Sequence, residues 1–110
     1  MVSMKRGEVW WVDFEPAVGT EVKKNHPAVI VSNDASNGAM NRVQVIPVTS
    51  NTTKLYVFES RIEVKGAHGK AMADQIITAD KQRLKKRIGK VSPSEMLGIE
   101  RAIKIQLGIH

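Results

Sequence analysis

The sequence has no cysteine, which excludes a disulfide framework, a thiolate metal site and a thiol nucleophile. That absence fits a reducing cytoplasm. No stretch approaches the roughly 18 apolar residues that a membrane helix needs, and Met1-Val2-Ser3-Met4-Lys5-Arg6 has no apolar segment behind its charges. A soluble, non-secreted protein with no membrane contact is expected. There is no G-x-S-x-G elbow, and Gly66 to Gly69 fits neither a P-loop nor a dinucleotide fingerprint, so nucleotide cofactors are unsupported. The three histidines, His26, His68 and His110, form no i, i+4 pair, so neither metal nor cofactor is expected. Internal repeats and low-complexity segments are also missing.

What is present is ordinary in amount and uneven in sign. A chain of 110 residues, 42% hydrophobic and 25% charged, suits a single domain spanning 1–110 around one core. Lys plus Arg number 17 against 11 Asp plus Glu, a formal charge of +6. Such an excess favours an anionic partner, nucleic acid first and an acidic protein segment second.

Glu8 to Phe14 is rich in β-branched and aromatic residues, which predicts a first strand. Residues 15 to 26 read as an exposed basic loop, and Pro27 to Ser32 as a buried strand that Asn33-Asp34 ends. Residues 35 to 41 read as a second polar loop. Val43 to Thr49 resumes a strand, and Pro47, which cannot donate to a ladder, puts it at an edge or a bulge. After a turn over residues 50 to 54, Phe58 to Val64 alternates, with Glu59, Arg61 and Glu63 on the wet face. Lys70 to Thr78 reads as one further strand, Asp80 to Lys86 as a helical turn capped by Asp80, and Arg87 to Val91 as a last short strand. Ser92, Pro93 and Glu95 make a capping box with proline at the first helical position, and Met96, Ile99, Ile103 and Leu107 recur at helical spacing. Leu97, Ile105 and Ile109 widen that apolar surface beyond what one barrel needs. Short strands ending in one helix, without β-α-β alternation, predict a mainly β fold with helices (α+β), a small mostly antiparallel barrel with a C-terminal amphipathic helix.

Two polar stretches offer chemistry. Lys23-Lys24-Asn25-His26 sits directly before a strand, where it could hold phosphate or simply face solvent. His26 is tied to that strand through Pro27, and an imidazole suits proton transfer near neutral pH. His68, in a Gly-rich turn, and His110, the last residue, read as surface side chains. Thr49-Ser50-Asn51-Thr52-Thr53 supplies hydroxyls and an amide that bind phosphate or base edges, or that serve only as turn residues.

The series Lys5-Arg6-Gly7-Glu8-Val9-Trp10-Trp11-Val12-Asp13-Phe14-Glu15-Pro16, Gly19-Thr20-Glu21 and His26-Pro27-Ala28-Val29-Ile30-Val31-Ser32-Asn33-Asp34 resembles the opening of the MazF/PemK/Kid toxin family. Pro47-Val48-Thr49-Ser50, Ala73-Asp74-Gln75-Ile76 and Asp80-Lys81-Gln82-Arg83-Leu84 extend the likeness over essentially the whole chain. The resemblance implies an SH3-like barrel that forms a homodimer with an RNA groove along its interface. It implies a toxin of a type II toxin-antitoxin system that cuts single-stranded RNA at short motifs without metal. In that route the 2′-hydroxyl attacks phosphorus, leaving a 2′,3′-cyclic phosphate and a 5′-hydroxyl. It also implies an acidic, MazE-like antitoxin partner.

Carried over residue by residue, the resemblance makes Thr49 and the position of His26 the principal catalytic pair, with Glu21 positioning the site. Lys23 and Lys24 would bind the RNA backbone. Asp13 and Phe14 would border the groove, Phe14 being equally readable as core, and Ser50, Asn51 and Gln75 complete the RNA-binding set. The family carries arginine where this sequence has His26. Arginine stays charged and grips phosphate with two donors, whereas a neutral imidazole offers one. His26 is therefore either a working acid-base residue or a weakening replacement, and the chemistry favours the second. A non-catalytic single-stranded nucleic-acid-binding module of the same fold, or a gyrase-poisoning toxin, are the alternatives.

Overall fold

Seven strands, two helices and two 3-10 turns make up the computed structural model, which describes residues 3–110. Strand β1 (Glu8–Asp13) pairs antiparallel with β2 (Asn25–Ile30), and β2 pairs with β3 (Arg42–Thr49). Strands β4 (Glu59–Val64) and β5 (Ala67–Met72) form a hairpin that joins the far end of β3, β6 (Ile77–Asp80) pairs with its near end, and β7 (Leu84–Lys90) lies outside β1. The order is β4-β5-β3-β2-β1-β7 with β6 beside β3. A Cβ added to Gly89 of β7 would fall 2.6 Å from Val64 Cγ1 of β4. The two ends of the strand order therefore meet, and the sheet is curled into a half-barrel.

Period-two alternation gives the sheet two apolar faces. Val9, Val29, Ile46, Val48, Ile62 and Ala71 share one cluster with Met96, Ile99 and Ala102 of helix α2 (Pro93–Leu107). Trp10, Val12, Phe14, Ala28, Ile30, Val43, Val45 and Leu84 form the other. Burying an isoleucine as completely as Ile99 stabilises by about 1.5–3 kcal/mol. Helix α2 starts as its sequence predicts: Ser92 Oγ accepts the Glu95 N–H at 3.1 Å and Glu95 Oε1 accepts the Ser92 N–H at 2.8 Å. It ends at Gly108 in the left-handed conformation (φ 69°). Leu97, Ile105 and Ile109 stay exposed.

Several local expectations are corrected. The segment read as a second polar loop contains helix α1 (Asp34–Ala39), because Asn33 acts as an N-cap whose side chain accepts the Ser36 N–H at 2.8 Å. Asp34 then accepts the Arg6 backbone N–H at 2.8 Å, which holds its carboxyl below the usual range, helped by the Asn37 amide. Pro47 lies neither at an edge nor at a bulge. Its strand is flanked by β2 on one side, and on the other β6 pairs residues 42–45 and β5 pairs 48–49, so the proline falls where the neighbour changes. The run from Lys70 to Thr78 is divided by the 3-10 turn Ala73–Gln75, since β5 and β6 pair with different parts of β3. β2 begins at Asn25 because Asn25 and His26 pair with Asp13 and Val12. The turn that Asp80 caps is the 3-10 segment Lys81–Arg83, with Asp80 Oδ1 accepting the Gln82 N–H at 2.9 Å. β7 accordingly starts at Leu84, before the expected Arg87. Glu59 is buried, although alternation puts it on the wet face.

Candidate active site

The mouth of the half-barrel holds a cavity of about 420 Å³. Asn25, His26 and Pro27 line it from the start of β2, and Val48, Thr49 and Ser50 from the end of β3, with Trp11 and His68 also on its wall. Consecutive residues from both strands take part, so the cavity sits at the strand ends. The register explains the meeting. Ala28, Val29 and Ile30 stand opposite Pro47, Ile46 and Val45; beyond Pro47 strand β3 passes to β5, while Asn25 and His26 continue β2 against β1, and both strand ends reach the cavity. Thr49 is in turn opposite Lys70, and Lys70 opposite Arg61. Directly opposed residues share a face, with Cβ atoms roughly 4.5–5.5 Å apart. Thr49, Lys70 and Arg61 thus form a row across β3, β5 and β4.

Among the described residues His26 Nδ1 is buried with no hydrogen-bond partner. Thr49 Oγ1 accepts the Asn51 N–H at 3.3 Å, and Asn51 Oδ1 in turn accepts from the Thr53 N–H and hydroxyl. Asn51 is exposed and does not line the cavity, whereas Ser50 does. Among the described residues no carboxylate lines it.

The remaining candidates lie elsewhere. Glu21 and Gln75 line a separate cavity of about 230 Å³ with Phe14, Val22, Pro47 and Asp74, sharing no residue with the first. The Glu21 carboxylate accepts the Val18 N–H at 2.8 Å within its own loop. Gln75 Oε1 accepts the Val22 N–H at 3.0 Å and so pins the β1–β2 loop. Phe14 is a core residue with one edge on that second cavity. Asp13 is half-buried and accepts the Glu15 N–H at 3.0 Å. Lys23 and Lys24 are exposed, and the Lys24 backbone (φ 61°) donates to Glu15 Oε1 at 2.7 Å. Neither lysine lines the first cavity.

Sequence reasoning missed a buried ion pair beside Thr49. Lys70 Nζ lies 2.9 Å from Glu59 Oε1, with the side chains 10% and 6% exposed. The ammonium also donates to the Lys54 carbonyl at 2.7 Å, and Glu59 Oε1 accepts the Tyr56 N–H at 2.9 Å. Tyr56 stacks on Phe58 with centroids 5.2 Å apart and carries the Lys54 ammonium 4.7 Å from its own centroid. The loop after Thr49 is thereby fastened to β5. Only the strand register, unavailable from sequence, reveals it.

A family model described as "PemK-like, MazF-like toxin of type II toxin-antitoxin system" matches residues 5–107. The chain is 38% identical to Endoribonuclease MazF9 of Mycobacterium tuberculosis over 115 residues, covering 96% of this chain and 98% of that protein. Among solved structures it resembles MazF of Deinococcus radiodurans (TM-score 0.88, 26% identity, 99% of this chain and 100% of that one). It also resembles a mycobacterial endoribonuclease in complex with its cognate antitoxin (TM-score 0.82, 27% identity, 97% of both chains).

Proposed function

From the premise that this chain belongs to the PemK-like, MazF-like toxins of type II toxin-antitoxin systems, we propose that it is a metal-independent endoribonuclease cutting single-stranded mRNA at His26 and Thr49. The observation that supports the reading is the cavity those two residues share. The 2′-hydroxyl attacks phosphorus, the O2′–P bond forms as P–O5′ breaks, and a 2′,3′-cyclic phosphate and a 5′-hydroxyl result. Charge builds on the phosphoryl oxygens, so the Thr49 hydroxyl and the imidazole act as hydrogen-bond donors to them.

The orphaned nitrogen decides what His26 can do. A buried acceptor without a partner costs less than a buried N–H without one, so the neutral ring carries its proton on Nε2. His26 then supplies one donor where family members bring an arginine's fork, the weakening replacement of the two readings. Lys23, Lys24, Ser50 and Asn51 serve the RNA strand nearby. Glu21 and Gln75, with Asp13 and Phe14, shape the β1–β2 loop around the second cavity. An acidic MazE-like antitoxin is the protein partner, its carboxylates meeting the +6 chain, and the place of action is the cytoplasm. A homodimer uses the exposed apolar face of α2. Light scattering at twice the 12.2 kDa of one chain checks it.

Incubating a long single-stranded RNA with the protein in EDTA, then mapping ends, should give 5′-hydroxyl products at a short motif. His26→Arg should raise kcat about tenfold, the gain expected from restoring charge-assisted donors. Intact RNA with both proteins would favour the non-catalytic binding module, and trapped DNA breaks would favour a gyrase poison.

A further inference from the structure

The cavity contains a second imidazole. His68 is the second residue of β5, stands opposite Glu63 on β4, and lines the same wall as His26, Thr49 and Ser50. Because Thr49 opposes Lys70, His68 is its diagonal neighbour on the same face, at the roughly 7–8 Å typical of such positions. His26 from β2 and His68 from β5 therefore share one cavity with Thr49, His68 as its diagonal neighbour.

The cleavage needs a group to take the 2′-proton. His26 is a poor choice, since its Nδ1 is buried and the neutral ring holds its proton on Nε2. Among the described residues no carboxylate lines the cavity, and Glu21 is in another. His68 differs on each point. Its side chain is 78% exposed at the mouth, and its Nε2 lies 3.4 Å from Glu63 Oε1. No hydrogen bond joins the pair, but the nearby carboxylate charge favours a proton on the nitrogen facing it, Nε2, and so leaves Nδ1 as the acceptor. The other titratable groups placed near it are Lys65 in the preceding turn, Lys70 two residues along β5 with its ammonium on Glu59, His26 on the same cavity, and Glu95, which accepts the Glu63 N–H at 2.6 Å.

We propose that His68 is the general base of the cleavage, with Glu63 as its positioning residue, an assignment that rests on the endoribonuclease reading above. Its Nδ1 takes the 2′-proton as O2′–P forms and P–O5′ breaks. The departing O5′ takes a proton from water, and the imidazolium returns its own to solvent, so nothing is consumed.

The test is a pH–rate profile of the full chain and of His68→Ala, His68→Gln and Glu63→Gln, with thermal melts to check folding. The native rate should rise with pH along a limb set by loss of one proton from the base. His68→Ala should lose that limb and about 100-fold in kcat with KM nearly unchanged, and added imidazole should restore part of the rate. Glu63→Gln should lose less. A substrate whose leaving group is p-nitrophenolate, which needs no proton to depart, should keep the whole His68 deficit. A deficit that vanishes on that substrate would make His68 the acid and overturn the assignment. So would a His68→Ala enzyme with native kcat and profile. A native chain that cuts no RNA overturns the reading beneath as well, which distinguishes the two failures.

Discussion

Replacing Thr49 by alanine should lower kcat for RNA cleavage by about 100-fold or more while leaving KM and the melting temperature close to native. One donor aimed at a developing oxyanion is typically worth about 10²–10³ in rate. Thr49 has little structural duty that alanine would forfeit. Its backbone keeps the β3–β5 pairing, and its hydroxyl gives up only one 3.3 Å bond to the Asn51 N–H. Thr49→Ser, which retains the hydroxyl, should recover most of the rate. Steady-state cleavage of a short fluorogenic RNA measures all three. An alanine form that cuts at the native rate would remove Thr49 from the chemistry.

The second large effect concerns stability. Lys70→Met should destabilise the fold by about 3–5 kcal/mol, because it leaves the Glu59 carboxylate buried without its counter-ion. In a chain of this size that lowers the melting temperature by on the order of 10–20 °C. The double variant Lys70→Met with Glu59→Leu should regain most of the loss, since an apolar pair of similar volume avoids burying charge. Its activity should stay low. With Glu59 gone the Tyr56 N–H loses its acceptor, and with Lys70 gone the Lys54 carbonyl loses its donor, so the loop following Thr49 is no longer fastened. Calorimetric melts beside cleavage rates separate the two effects, and a double variant that regained both would reduce the pair to a stabilising role.

What the sequence could and could not disclose follows from the range of the forces involved. The C-terminal helix is governed by contacts within a few residues, and Ser92, Pro93 and Glu95 foretold its start. The strands were found by their apolar periodicity, but their ends were set by partners. Asn25 and His26, which look like loop, become strand because Asp13 and Val12 stand opposite. Pro47 looked like an edge residue because one-dimensional reasoning cannot see a central strand whose neighbour changes midway. Glu59 looked solvated because its counter-ion comes from another strand. The same limit governs the site. His26 and Thr49 were selected by resemblance, and tertiary register brings them to one cavity. Glu21, selected with them, is held in another. His68 was read as a surface side chain, which its exposure bears out, yet the curl of the sheet puts it on the wall of the cavity.

The central claim, that the RNA's own 2′-hydroxyl is driven onto phosphorus between His26 and Thr49, is tested most directly by a single atom of the substrate. Once the cut position in a short RNA is mapped, the nucleotide on its 5′ side is replaced by the 2′-deoxy form and both strands are incubated with the protein in EDTA. The all-RNA strand should yield a 2′,3′-cyclic phosphate and a 5′-hydroxyl, and the substituted strand should bind yet remain whole. Cleavage of the deoxy strand at the same bond would contradict the account.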